Sequence, residues 1–312
     1  MHVLITGGAG FIGHNVALIL KGKGYDVIVL DSLERSTKFA LQRLSSSDVP
    51  LIRGDIRNVA LLKKLVSKGD IVVHAAAYIS VEESMKNPEV YIDNNVMGSL
   101  AVAKVCLEAG ASMIYISSAA VYGEPVKLPI DEAHPTKPIS PYGLSKLFGE
   151  QILELLARQG LRYTVLRLFN VYGPGQSSAY AGVISRFIEQ ALESQRLIIY
   201  GDGLQTRDFV HVYDVAQAVE LALEKEAYGE KFNIAYGKPV SILELAQLIK
   251  KLTCPDCRVE HYPPRPGDIR YSYADITKAK SVLGYQPTID LEKGISELIR
   301  LKSNGQNSNN AL

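Results

Sequence analysis

Short apolar runs rich in β-branched residues recur through the first half of the chain, at 2–6, 26–30, 51–53, 71–74, 112–117 and 163–168. Between them, 12–23, 59–67, 90–109 and 142–159 repeat apolar residues at the three- and four-residue spacing of an amphipathic helix. This alternation predicts an α/β fold in which parallel strands are joined by crossover helices. Such sheets bind ligands beyond the carboxyl ends of their strands, so chemistry is expected on the loops that follow these runs.

From Asn170 onward the connections lengthen, Pro and Gly cluster, and the apolar runs shorten to 197–200 and 231–235. Helical patterns return at 183–193, 212–224, 242–251 and 291–301. A second, smaller unit is therefore expected at 170–302 after a first at 1–169, with some of its segments packing back on the first. Residues 303–312, rich in Asn, Ser and Gly, carry too little apolar surface to order themselves and read as a flexible tail.

A chain of 312 residues can bury a large core without disulfides or metals. Lys and Arg total 34 against 33 for Asp and Glu, and the signs are interspersed, which leaves no electrostatic footprint for nucleic acid or an anionic membrane. No run approaches the roughly 18 apolar residues of a membrane span, and the start lacks a basic leader with a small-residue cleavage site, so a cytoplasmic location is expected. Cys106, Cys254 and Cys257 are too few for a disulfide framework. Cys254 and Cys257 form one C-x-x-C without a second pair. That reads as a turn with free thiols or a local disulfide more readily than as a zinc site recruiting His261.

Gly7, Gly10 and Gly13 follow the first strand at a G-x-x-G-x-x-G spacing and lead straight into a helix. Glycines let the backbone turn tightly and approach a pyrophosphate, while the helix amino end offers N–H donors and a favourable dipole. Asp31 ends the second strand 18 residues beyond Gly13, where a carboxylate can accept from ribose hydroxyls and repel a 2′-phosphate. NAD is thereby favoured over NADP, although Arg35 and Lys38 follow closely. Asp55, after the third strand, could accept from an adenine amino group.

Tyr142 and Lys146 stand at i and i+4 on one face of a predicted helix. A charged Lys146 beside Tyr142 would favour the phenolate, and bringing a phenol from about 10 to neutrality is worth about 4 kcal/mol. Tyr142 would then serve as a general base. Ser117 and Ser118 follow an apolar strand, so their hydroxyls fall on the carboxyl edge of the sheet. A serine there can donate to a developing alkoxide.

The glycine motif, Asp31, His74-Ala75-Ala76-Ala77, Asn94-Asn95-Val96, the Ser117-Ser118 loop and Tyr142-x-x-x-Lys146 together resemble the extended short-chain dehydrogenase/reductases. Within them the chain looks most like the nucleotide-sugar 4-epimerases of the UDP-glucose 4-epimerase type, and the likeness spans nearly everything but the tail. The resemblance implies a Rossmann-type doubly wound sheet with a smaller C-terminal α/β substrate domain, and a homodimer paired through helices at 90–109 and 142–159. It implies NAD bound with the help of Phe11, Ile12, Ile56, Ala75, Ala76, Ala77 and Asn94, and His74 packing beside the cofactor loop. Ser118, Tyr142 and Lys146 would be the catalytic trio, with Lys146 also binding the nicotinamide ribose.

By the same resemblance Arg207 and Arg265 would clamp the pyrophosphate of a UDP-sugar, and Asn170 and Val183 would contact phosphate or sugar. Ile198 and Tyr200 would frame the base, and Asp268 would hold a ribose hydroxyl. Guanidinium forks suit phosphate geometry and stay charged. Ser272 matches the position whose size limits bulk at sugar C2, so its small side chain could admit N-acetylhexosamines. A firm grip on the nucleotide and a loose one on the hexose would retain the intermediate while the sugar turns over.

Related dehydratases and decarboxylases usually carry acidic residues just after the catalytic serine or threonine, where this chain has Ala119 and Ala120. That departure argues strongly against dehydration and less strongly against decarboxylation. A UDP-sugar-acid 4-epimerase or another enzyme modifying nucleotide sugars remains an alternative, and so does a non-catalytic dinucleotide sensor, which would be expected to lose the Tyr or the Lys.

Overall fold

The computed structural model describes residues 2–177, 182–265 and 267–309. Its strands are β1 (His2–Thr6), β2 (Asp26–Asp31), β3 (Leu51–Arg53), β4 (Ile71–His74), β5 (Ser112–Ser118), β6 (Arg162–Leu168), β7 (Asn170–Tyr172), β8 (Arg196–Tyr200), β9 (Thr206–His211), β10 (Lys231–Ile234), β11 (Pro239–Ser241) and β12 (Arg258–Tyr262). Seven of these form one sheet in the order β10-β6-β5-β4-β1-β2-β3, with every pairing parallel. A parallel sheet is covered on both faces, which is why β4 is buried at all four positions and β6 at six of seven.

Helices α1 (Phe11–Gly22), α2 (Lys38–Ser46), α3 (Val59–Leu65), α4 (Val81–Lys86), α5 (Pro88–Tyr91), α6 (Gly98–Ala109) and α7 (Pro141–Ala157) belong to the first half. The second half adds α8 (Val183–Glu193), α9 (Val212–Lys225), α10 (Ile242–Thr253) and α11 (Leu291–Asn309). The predicted helix at 90–109 is not continuous. It passes through a π-helical turn, Ile92–Met97, between α5 and α6, and such turns are frequent at functional sites.

Apolar clusters fill both faces of the large sheet. On one face Val3, Ile5, Val29, Val73 and Ile114 pack against α1 and α9 residues such as Val16, Leu20 and Val219. On the other, Leu4, Leu30, Val72 and Val165 meet Val102, Cys106 and Leu153 of α6 and α7. A third cluster, with Phe187, Ile188, Leu245 and Ile249 at its centre, sits under α8 and α10. It draws on the three-stranded sheet β11-β9-β7 and the parallel pair β12-β8.

Segments of the second half complete the first. β10 pairs with β6 at the edge of the large sheet, and α9 packs against α1. Helix α11 overlaps the stretch read as a tail, reaching Asn309; residues 310–312 lie outside the described ones. Among the described residues no helix is long and apolar enough to cross a membrane.

The order of strands places a switch point between β1 and β4, because the chain builds outward from β1 through β2 and β3 and then returns to add β4 on the other side. Thr6 and His74 are register partners there, and both strands end at the same level. His74 is wholly buried, in hydrogen-bond contact with Thr6 Oγ1 at 2.6 Å and Ser99 Oγ at 3.0 Å, and stacked on Tyr115. Burial holds its imidazole down at about 3, so it is a neutral packing element of the loop wall.

Candidate active site

An open cleft of about 1120 Å³, counting its mouth, lies across the switch point. Gly7, Gly10, Phe11, Ile12, Gly13, Asp31, Asp55, Ile56, Ala75, Ala76, Ala77 and Asn94 line it, so the residues expected around a dinucleotide converge on one surface. Gly7 sits at φ +68, and a Cβ there would lie 2.5 Å from the backbone of Ala76. At Gly13 a Cβ would come within 2.2 Å of the Gly7 carbonyl. These two glycines let the turn after β1, the start of α1 and the loop after β4 close on one another.

Thr37, Asn58, Ser80 and Ser140 cap α2, α3, α4 and α7 through their side chains, whereas α1 starts at Gly10 with no side-chain cap. Its first-turn N–H groups therefore remain available to an anion in the cleft. Asp31 accepts from the backbone N–H of Ala9 at 2.9 Å and of Leu33 at 2.8 Å, which fixes its carboxylate at the cleft wall. Burial pushes its pKa up, and the two backbone donors oppose that shift. Arg35, which could have served a 2′-phosphate, gives both prongs of its guanidinium to Glu83, at 2.9 and 2.7 Å. Asp55 is held by Arg57, which keeps its carboxyl below the ordinary range. A glycine turn, an uncapped helix start and a fixed ribose-side carboxylate fit a non-phosphorylated dinucleotide.

A second cavity opens directly from the first. Phe11, Ile12, Ala75, Ala77, Ile79 and Gln176 line both, and the second adds Ser118, Tyr142, Lys146, Asn170 and Val183. Ser118 ends β5 and accepts from the Ala120 N–H at 3.2 Å. Tyr142 lies in the first turn of α7, whose start is set by the Ser140 cap and by Pro141. Tyr142 is partly covered and lines the cavity. Burial pushes the phenol up, with a hydrogen bond from Ser118 pulling it back.

Lys146 is on the same helix face and lines the same cavity as Tyr142, and its ammonium has an acceptor of its own. Its Nζ donates to the Ile116 carbonyl at 2.8 Å and lies 5.0 Å above the Tyr115 ring. Burial brings Lys146 down to about 7, opposed by the charge of Glu150 one turn further along α7. An i, i+4 spacing sets proximity of stems only, and a buried ammonium takes the nearest acceptor that the sheet offers. With Lys146 at about 7, the ammonium is charged only in the lower part of the range in which the phenol stays protonated.

Several site-building residues escaped the sequence reading. Glu150, fully buried, accepts from Ser117 Oγ at 2.6 Å and from Arg167 Nε and Nη2 at 3.0 and 2.7 Å. Arg167 also donates to the Tyr122 hydroxyl at 2.9 Å, and that hydroxyl donates to Asn233 on β10 at 2.6 Å. Glu150 was findable, four residues beyond Lys146; Arg167 inside an apolar strand was not. Gln176, shared by both cavities, gave no signal.

The residues expected at the nucleotide end lie beyond the linings of these cavities, except Asn170 and Val183. Arg207 on β9 is paired with Asp268 and donates to the carbonyls of Thr206 at 2.8 Å and Ile269 at 2.7 Å. Arg265 lies 4.0 Å over the ring of Tyr200 at the end of β8. The Ile198 N–H is held by Gln190 at 3.1 Å. Ser272 is buried, its N–H donating to the Thr206 carbonyl at 3.2 Å. So Arg207, Asp268 and Ser272 gather around one edge of β9, with Tyr200 and Arg265 stacked on each other, and the Arg207 fork is spent on protein acceptors. Cys254 and Cys257 are free thiols at the end of α10.

Comparison with known proteins agrees with this architecture. A putative UDP-glucose 4-epimerase of Methanocaldococcus jannaschii is 41% identical over 307 residues, which is 97% of this chain and 98% of the relative. The crystal structure of UDP-glucose 4-epimerase from Thermotoga maritima with UDP-glucose superposes with a TM-score of 0.92 at 37% identity, covering 98% of this chain and all of that one. UDP-N-acetylglucosamine 4-epimerase from Methanobrevibacter ruminantium in complex with UDP-N-acetylmuramic acid gives 0.91 at 34% identity, with 97% and 98% covered. The family described as NAD dependent epimerase/dehydratase matches residues 3–235, which contain the whole cofactor cleft and the Ser118, Tyr142 and Lys146 cavity. The chain belongs to that family, and NAD is its cofactor.

Proposed function

We propose that the protein inverts the C4 configuration of a UDP-hexose, interconverting UDP-glucose and UDP-galactose. The observation that carries this reading is the continuity of the two cavities. Ser118, Tyr142 and Lys146 stand on the wall of a chamber that opens into the dinucleotide cleft through Phe11, Ile12, Ala75, Ala77 and Gln176. NAD, when bound, supplies a hydride acceptor and donor for sugar C4.

Tyr142 takes the proton of the 4-hydroxyl and returns it after the sugar has turned over. Its raised pKa suits a phenol that rests protonated, so Tyr142 acts as the base only once its own proton has passed to solvent as positive charge approaches. Lys146, poised between charged and neutral forms at about 7, is the residue that can supply this charge, and Glu150 favours the charged form. Ser118, whose side chain already favours the charged form of Tyr142, steadies the oxygen through the transfer.

Two features favour a neutral hexose over the alternatives. Among the described residues Lys146 is the one cation of the sugar chamber, which leaves no dedicated partner for a uronic carboxylate. Among the described residues no aspartate or glutamate lines it either, which argues against dehydration. The small Ser272 supports acceptance of the N-acetylhexosamines as well. Opening of the Arg207–Asp268 pair would give Arg207 to the diphosphate and Asp268 to a ribose hydroxyl, with Arg265 as second clamp and Ile198 and Tyr200 beside the base. The exposed Phe148 and Leu155 on α7, with Met97 next to α6, support a homodimer through these helices; the proposed activity would place the protein in galactose metabolism, in the cytoplasm.

Incubating the purified protein with UDP-glucose, UDP-galactose, their N-acetyl counterparts and UDP-glucuronic acid, without added NAD, and reading products by NMR tests the proposal. UDP-glucose and UDP-galactose should interconvert, and Tyr142→Phe should abolish this with NAD still bound. Unchanged stereochemistry in every substrate, or full activity in Tyr142→Phe, would refute it.

A further inference from the structure

Side chains that the reaction leaves without a task line the cofactor cleft and join two of its loops. Arg35, on the loop after β2, reaches Glu83 on α4 with a two-pronged hydrogen bond, and the same guanidinium lies 3.7 Å over the ring of Tyr78. The Tyr78 hydroxyl donates back to Glu34 at 2.6 Å. The loop after β2 is thus tied twice to the segment after β4, and Glu34, Arg35 and Tyr78 all line the cleft.

This connection reaches inward to the reacting end. Tyr91, fully buried, donates to Glu83 at 3.0 Å and meets both Tyr78 and Tyr142 edge to face, with ring centroids 5.9 and 6.5 Å apart. Asn95, in the π-helical turn, accepts from the Tyr78 N–H at 2.8 Å and donates to the Tyr78 carbonyl at 3.0 Å and to Ser145 Oγ at 2.9 Å. Ser145 in turn donates to the Tyr142 carbonyl at 2.7 Å.

We propose that Arg35, Glu83 and Tyr78 form a clasp that retains NAD, a specificity-determining element outside the reacting trio. The inference rests on the reading of the protein as an enzyme that restores its cofactor within each turnover, for which slow release is an advantage. Parting of the two loops would widen the way out for a dinucleotide lying between them. Parting breaks a charge-assisted fork together with the stacking of Arg35 on Tyr78. Both guanidinium prongs being occupied also withholds Arg35 from a 2′-phosphate, in line with the choice made by Asp31. Arg35 and Glu83 retain 26% and 34% side-chain exposure, so water screens the pair and the effect on release is modest, about tenfold in the dissociation rate.

The test loads the wild type, Arg35→Ala, Glu83→Ala, the double variant and Arg35→Lys with NAD. Dissociation is followed by chase with labelled NAD, and the NAD remaining after gel filtration is quantified. Each single alanine variant should release NAD about tenfold faster, and the double variant no faster than either, because both substitutions open one clasp. Arg35→Lys keeps the charge but loses the fork, and should release NAD nearly as fast as the alanine variant. Epimerisation by the variants should recover as NAD is added, so the change appears in the NAD concentration that supports half-maximal turnover. Release at the wild-type rate from both alanine variants, or losses that simply add in the double variant, would overturn the clasp. If the wild type itself neither held NAD nor epimerised any sugar, the functional reading would fall with it; a wild type that does both isolates the failure to the clasp.

Discussion

Replacing Lys146 by methionine should make the protein inactive and more stable. The aliphatic stem of Lys146 is buried in the wall of α7 with 3% exposure, and methionine can fill that space without bringing a charge. In the unfolded chain the ammonium titrates near its ordinary 10.5, whereas burial lowers it to about 7 in the folded protein. At roughly 1.4 kcal/mol for each tenfold change, that gap is a cost of about 5 kcal/mol, paid in full at and below pH 7. Losing the hydrogen bond to the Ile116 carbonyl offsets about 1–3 kcal/mol of the gain. A net stabilisation of about 2–4 kcal/mol remains.

The sign with pH is fixed by the same values. Between 7 and 10.5 the unfolded chain holds the proton that folded Lys146 has lost, so wild-type stability rises with pH across that window. The advantage of the methionine variant is therefore largest at pH 7 and below and shrinks toward pH 10. Urea unfolding of both proteins freed of NAD, at pH 6.5 and 9.5 and with equal slopes, would measure it. A methionine variant less stable than the wild type at pH 6.5, or an advantage that grows toward pH 9.5, would refute the reasoning.

Two further expectations follow from packing. Glu150→Gln leaves the buried Arg167 without its ionic partner and should cost about 3–5 kcal/mol, while Glu150→Met with Arg167→Met recovers most of it; denaturation midpoints decide. Gly13→Ala drives a methyl to 2.2 Å from the Gly7 carbonyl, so NAD binding by calorimetry should fall by at least about tenfold and the melting temperature should drop.

How much of this was legible depended on whether burial wrote itself into residue type. The middles of β1, β4 and β5 are buried on both faces and read as apolar runs, and the glycines of the first turn could be placed because only tight backbone approach requires them. β9 was invisible for the opposite reason. Its central Asp208 is fully buried, but the backbone N–H groups of Tyr236, Gly237 and Ala274 satisfy it, so a strand interior looks like a loop. Helix α4 has six residues, too few to show a period, although Ser80 caps it. At the site, sequence spacing brought Tyr142 and Lys146 to one face. The rotamer of Lys146 and the pairing of Arg207 with Asp268 are choices among local acceptors that no spacing encodes.

The return of β10 to the edge of the large sheet has a consequence for how the protein can be divided. The last parallel strand of the cofactor-binding sheet is encoded some sixty residues after Leu168, so residues 1–169 do not contain the whole sheet. A fragment ending at residue 169 would present β6 as a naked edge, with its row of unpaired amides and carbonyls inviting association with other chains. It would also strip α1 of its α9 cover. Truncation would thus yield an aggregating half-protein in place of a working nucleotide-binding module, and any shuffling of substrate specificity must be done by exchanging loops within an intact chain.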